Sequence, residues 1–269
     1  MRTTPLPSSL HGIEEVGDEE IAAVTDVLRR KKMFRFLLTD EDSYTARFET
    51  AFKEYMGSRY ALSVTGGTTA LVTALVGLGV GTGDEVIVPA YTYIATAAAV
   101  LTVGAIPVIA EVDDTLTLDP NDFERKITPL TRCVIPVHMR GWPAQMDEIM
   151  DIARRYDIAV LEDVAQAVGG EYRGRKLGSI GQAGVFSFQH YKIITSGEGG
   201  MVITDDETVF RRAACKHDSA MSFWKKDDPW EPFAGVNARM CELRAAVGYV
   251  QFQRLSGILA RTRALKKRI

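Results

Sequence analysis

The sequence predicts an α/β protein in three layers, with helices on both faces of one mostly parallel sheet of seven strands. Two observations carry this reading. Short, apolar, β-branched runs alternate with helix-length amphipathic segments, the pattern left when parallel strands are joined by crossover helices. No fixed-period repeat and no long Gly/Ser or Pro linker interrupts the 269 residues, so the strands belong to one sheet rather than to two small domains.

Two helical patterns come first: 18–31, with Asp18 placed as N-cap, and 44–56, closed by Gly57 as C-cap. Strands then fall at 61–64, 85–88, 107–111, 132–137, 159–162, 184–188 and 200–204, each a run such as Glu85-Val86-Ile87-Val88. Connecting helices are read at 68–78, 92–103, 143–156 and, after the last strand, 205–215. Ligands of open α/β sheets bind beyond the carboxyl ends of the strands, so the chemistry is sought just after each one.

Composition narrows the partners. Hydrophobic residues at 46% and charged residues at 25% exclude collagen-like, low-complexity and largely disordered chains. A formal net charge of −3 leaves no basic footprint for nucleic acid. Cys133, Cys215 and Cys241 are far apart and outside zinc-type spacing, which argues against a disulfide framework or a metal site and for a reducing compartment. Residues 1–20 hold no apolar signal-peptide core and no 18-residue apolar run occurs, so the expectation is a cytoplasmic protein with no membrane partner and a small ligand.

Four strand ends carry candidate chemistry. After the first comes Thr65-Gly66-Gly67-Thr68-Thr69, where glycines allow close backbone approach and a helix N-terminus offers free amides to an anion such as phosphate. The same segment reads equally as an ordinary strand-to-helix turn with Thr as N-cap. Tyr91 and Tyr93 follow the second strand and would give a planar ring a stacking face, or simply join the core. Asp163 ends the apolar strand 159–162. A carboxylate buried there needs a cation, such as a protonated heterocyclic nitrogen, unless it only caps the next turn. Lys192 lies shortly past the strand at 184–188 in a Gly-rich setting, where partial desolvation would free its amine to attack a carbonyl. Phosphate, planar ring, ring nitrogen and aldehyde together are the parts of pyridoxal 5′-phosphate.

These residues resemble the DegT/StrS family of sugar aminotransferases, which depend on that cofactor and adopt the fold-type I transferase architecture. Four elements carry the likeness: Gly67-Thr68-Thr69-Ala70-Leu71, the run from Gly81 to Pro89, Glu162-Asp163-Val164-Ala165-Gln166-Ala167, and the stretch from Ser187 to Gly200. The resemblance implies that Lys192 forms the Schiff base and shuttles protons, and that Asp163 keeps the pyridine nitrogen protonated. It places Gln166 at the phenolic oxygen, Tyr93 on the ring face, and the Gly67 and Thr68 amides with the Thr68 and Ser187 hydroxyls on the phosphate. It further implies a homodimer with a shared site, in which Asn237 of one subunit completes the phosphate site of the other. The family's N-Y-R-M segment stands here as Asn237-Ala238-Arg239-Met240, without its tyrosine.

By the same resemblance the activity is transfer of an amino group from glutamate or glutamine to a keto-sugar or keto-cyclitol. Gln189 points toward members acting on cyclitols and aminoshikimate-type precursors. A subgroup that dehydrates carries histidine for the lysine, but counting back from Gly197-Glu198-Gly199-Gly200 puts Lys192, not His190, at that position. An aromatic amine synthase and a non-catalytic regulatory relative are the competing readings. Trp224 and Trp230 on a loop at 221–232, and His138 and Arg140 after the fourth strand, are either packing residues or substrate contacts. The implied organisation is a helical segment at 1–35, a cofactor-binding large domain at 36–250, and, at 251–269, the start of a helix leading to a small C-terminal domain that the sequence lacks.

Overall fold

The computed structural model describes residues 12–219 and 233–267. Seven strands form the expected sheet: β1 (Tyr60–Val64), β2 (Glu85–Pro89), β3 (Ile106–Ala110), β4 (Thr131–Val134), β5 (Ala159–Asp163), β8 (Ala183–Ser187) and β9 (Gly200–Thr204). Their order is β1-β9-β8-β5-β4-β2-β3. β9 runs antiparallel to both its neighbours, and the pairs from β8 across to β3 are parallel. The helices are α1 (Asp18–Arg30), α2 (Tyr44–Met56), α3 (Gly67–Gly77), α4 (Ala95–Thr102), α5 (Pro120–Arg125), α6 (Met146–Tyr156), α7 (Glu207–His217), α8 (Glu242–Gln253) and α9 (Leu255–Lys266). Among the described residues no helix is long and apolar enough to cross a membrane.

The two faces of the sheet bury separate cores, which is why the strands read as unbroken apolar runs. Along β2, Ile87 packs into one core with the rings of Phe48, Phe52, Phe186, Phe188 and Phe252, while Val86 and Val88 join Leu71, Leu75 and Val100 in the other. Side chains alternate across a strand, so both sets must be apolar to be covered.

Several boundaries differ from the sequence reading, each for a local reason. Gly57 does cap α2, with φ 72°. Gly17, not Asp18, is the N-cap of α1, and the Gly17 N–H donates to the Glu20 carboxylate at 2.8 Å. The helix expected over 92–103 begins only at Ala95, leaving Thr92 and Tyr93 in the preceding turn. β4 stops at Val134 because Pro136 has no N–H to give the ladder, although its carbonyl accepts from the Asp163 N–H at 2.9 Å. Unread in the sequence were α5, opened by Asp119 as N-cap with Pro120 behind it, and a hairpin of β6 (Glu171–Tyr172) and β7 (Arg175–Lys176). The hairpin turns on Arg173 and Gly174, both at positive φ, as a two-residue turn between right-twisted strands requires. The C-terminal helices run as follows. The boundary placed at 250 falls inside α8, which breaks from α9 at Arg254 (φ −97°, ψ 0°). Within the described part of the N-terminal helical segment, Ala23 and Val27 of α1 pack on Ala246 of α8. The loop carrying Trp224 and Trp230 lies outside the described residues.

At the last turn of β5 the strand alternation sends two adjacent carboxylates to different places. Glu162 is fully buried and accepts from the N–H groups of Gly178, Ile180 and Gly181 at 2.6–2.8 Å. Its fourth partner is His138 Nε2 at 3.1 Å. His138 Nδ1 accepts from the Ala144 N–H, so Nε2 is the nitrogen that donates. His138 is thus a satisfied core histidine, not a substrate contact. A Glu162→Gln variant sets an amide NH₂ against donors and is expected to lose about 2–3 kcal/mol. Thermal unfolding reads this as a melting point lower by roughly 5–10 °C, and an unchanged midpoint contradicts the buried carboxylate's role.

Candidate active site

The carboxyl ends of β1, β2, β5 and β8 surround one cavity of about 680 Å³. That is ample for a cofactor-sized ligand. Its walls include Gly66, Gly67, Thr68, Tyr93, Asp163, Gln166, Ser187, Gln189 and Lys192, so seven of the eight predicted site residues meet there. The eighth, Asn237, is exposed on the surface and is not among the residues lining this cavity.

α3 opens at the cavity. Gly66 is its N-cap and offers no side-chain cap to the amides of the first turn, which are therefore free for an anion. The alternative of an ordinary turn with threonine as N-cap does not hold, since Thr68 and Thr69 are already inside the helix. A Cβ on Gly67 would lie 2.7 Å from the Ser187 Cβ, so only glycine lets α3 approach β8 this closely. Ser187 itself is 7% exposed and bounds the same corner.

Asp163 is 5% exposed. Its carboxylate accepts from the Thr96 hydroxyl at 3.1 Å and from the Ala165 N–H at 3.0 Å. Burial pushes this carboxyl above its ordinary value, and the two hydrogen bonds and the Lys192 charge draw it only partly back. A buried carboxylate whose hydrogen-bond donors are neutral is what a cationic ring nitrogen would complement. In the same cavity the Lys192 amine is made less basic by burial, more basic by the Asp163 charge and less basic again by the Arg140 guanidinium. Arg140 has a left-handed backbone (φ 53°), and its N–H donates to Gln166 Oε1 at 3.2 Å. Tyr93 is 68% exposed and stands at the rim. His190 is exposed and absent from the wall. Among the described residues no group of His, Cys, Asp or Glu is arranged to hold a metal ion.

Thr96 and Glu198 were missed as site residues. Thr96 sits in the stretch read for its aromatic rings, four residues after Thr92, whose hydroxyl it meets at 2.8 Å. Glu198 lines the cavity from within the Gly-rich stretch after Lys192, where only its glycines drew notice.

An anion cradle, a buried carboxylate and a desolvated lysine at the carboxyl edge of a mostly parallel sheet define a site fitted to pyridoxal 5′-phosphate. The chain belongs to the DegT/DnrJ/EryC1/StrS aminotransferase family, whose profile it matches over residues 14–269. It is 44% identical to GDP-perosamine synthase of Caulobacter vibrioides over 81% of this chain and 58% of that protein. It is 40% identical to L-glutamine:scyllo-inosose aminotransferase of Streptomyces griseus over 92% of this chain and 61% of that one. It thus spans about three-fifths of the length of these relatives. Among solved structures, 3-amino-5-hydroxybenzoic acid synthase superposes with a TM-score of 0.83 at 34% identity, covering 90% of this chain and 62% of that one. S. venezuelae DesV, in complex with a ketimine intermediate, does so at 0.81 and 37%, covering 91% and 64%.

Proposed function

We propose that this chain carries the cofactor-binding part of a pyridoxal-phosphate-dependent aminotransferase, which moves an amino group from glutamate or glutamine to a keto-sugar or keto-cyclitol. The observation that carries the reading is the convergence of Lys192, Asp163 and the α3 N-terminus on one cavity. When bound, the cofactor supplies the aldehyde that takes the amino group and the ring that accepts the substrate's electron pair.

The chain's own residues do the rest. The Gly67 and Thr68 amides, with the Thr68 and Ser187 hydroxyls, bind the phosphate, aided by the dipole of α3. Asp163 holds the proton on the ring nitrogen, and Thr96 and Ala165 fix its two oxygens. Lys192 Nζ would hold the cofactor through its aldehyde, with loss of water, and once the donor's own amine has displaced it the freed amine would take the donor's α-proton and deliver a proton to the acceptor's carbon. An amine made less basic by burial is available unprotonated nearer neutral pH, which suits both tasks. Tyr93 covers the ring from the rim, and Gln166, whose Oε1 is held by Arg140, presents its amide to the phenolic oxygen. Asn237 reaches the phosphate of a partner subunit in a homodimer. Its segment is fastened to β1 through the Thr65 N–H, which donates to the Ala238 carbonyl at 2.9 Å.

Purified protein supplied with the cofactor is expected to show a visible absorption band that glutamate or glutamine bleaches and a keto-cyclitol or keto-sugar restores. A band that no amino donor bleaches would favour an eliminating enzyme, since loss of water consumes no donor. Protein that stays colourless contradicts the proposal.

A further inference from the structure

The main chain of Lys192 is held from an unexpected direction. Its N–H donates to the Gln189 carbonyl at 2.9 Å, within its own loop, but its carbonyl accepts at 2.8 Å from the N–H of Gly12, 180 positions earlier in the chain. Gly12 is buried, and a Cβ there would lie 2.8 Å from the Ile193 oxygen, 2.8 Å from the Ile194 Cα and 2.9 Å from the Thr195 nitrogen. All three are backbone atoms, so the segment and the lysine loop touch main chain to main chain, a contact that only glycine permits.

Three residues on, the same segment is gripped from the other side. Arg254, at the break between α8 and α9, donates to the Glu15 carbonyl at 2.8 Å and pairs with the buried Glu20. Arg261 of α9 meets the Glu15 carboxylate at 2.6 Å. Gly12–Glu15 is therefore a short strut with the Lys192 carbonyl at one end and the α8–α9 junction at the other.

We propose that Gly12 is a positioning residue for Lys192. The strut fixes the backbone from which the lysine side chain rises, and the α8–α9 arginines set where the strut stands. This rests on the reading of Lys192 as the lysine that binds the cofactor. Misplacement of a reacting group by about 1 Å costs up to roughly a hundredfold in rate, so even a small shift of this backbone is measurable.

The test separates lysine placement from pocket integrity. Covalent trapping of pyridoxal phosphate by borohydride, followed by mass, reports on the Lys192 amine. Equilibrium binding of pyridoxamine phosphate, which has no aldehyde, reports on the pocket alone. Gly12→Ala is expected to slow trapping about ten- to hundredfold and to leave pyridoxamine phosphate affinity unchanged. Gly17→Ala, whose Cβ meets nothing within 4 Å, keeps the wild-type trapping rate. Should Gly12→Ala fail to fold by circular dichroism, Arg254→Met carries the same test: it releases the Glu15 carbonyl and slows trapping more weakly, and Arg254→Lys restores it. Trapping at the wild-type rate, or a parallel loss of both readouts, overturns the proposal. Wild-type protein that binds neither compound overturns the underlying reading and this one with it.

Discussion

Lys192→Ala is expected to lower amino transfer by about 10⁴-fold, the upper end of what a positioned general base supplies, because attachment of the cofactor is lost with the base. The replaced side chain is half-buried and lines the cavity, so the variant should unfold like the parent. Lys192→Arg makes the argument sharper. A guanidinium keeps the charge near Asp163 but does not give up its proton, so the Arg variant should be as inactive as the Ala variant. Added methylamine should restore part of the rate in Lys192→Ala only. Substantial turnover in either variant would remove Lys192 from its role.

Asp163→Asn is expected to move activity and stability in opposite directions. An amide does not hold a proton on the ring nitrogen, and loss of one charge partner at the reacting centre costs about 10²–10³ in rate. The cofactor-free protein should nonetheless become more stable. Burial raises the Asp163 carboxyl above the ordinary aspartate value of 3.8, so the folded chain keeps a proton that the unfolded chain releases. The stability from that proton is complete below 3.8 and is lost as the pH rises through the raised value. Asparagine carries no such charge. Its oxygen still accepts from the Ala165 N–H, and the Thr96 hydroxyl turns to accept from its NH₂. At neutral pH the variant should therefore melt higher, by roughly 2–4 °C for each kcal/mol released in a domain of this size. The gap should close as the pH falls toward 4. A variant that melts lower at neutral pH, or a gap that widens in acid, contradicts the burial argument.

What the sequence showed plainly was whatever depends on near neighbours. Parallel strands end on one edge, so Gly67, Asp163 and Lys192 could be assigned to one site from the residues at each strand end, while Ser187 entered only through the family resemblance. Gly57 and the apolar runs of β2, β5 and β8 likewise declare themselves by local chemistry. The missed features depend on distant partners. Nothing near Thr96 reveals that its hydroxyl meets Asp163 from another element, and nothing near Glu162 reveals the amides of residues 178–181 that allow a carboxylate to be buried there. The contact between Gly12 and Lys192 is the extreme case, since neither side bears a pattern pointing to the other. The break at Arg254 is of the same kind: periodicity continues across it, while the arginine is claimed by Glu15 and Glu20.

The most direct measurement of the central claim is peptide mapping of the protein after incubation with pyridoxal 5′-phosphate and reduction by borohydride. Stoichiometric modification of Lys192, abolished in Lys192→Ala and weakened in Asp163→Asn, is the predicted result. Modification spread over surface lysines, or none at Lys192, would contradict it.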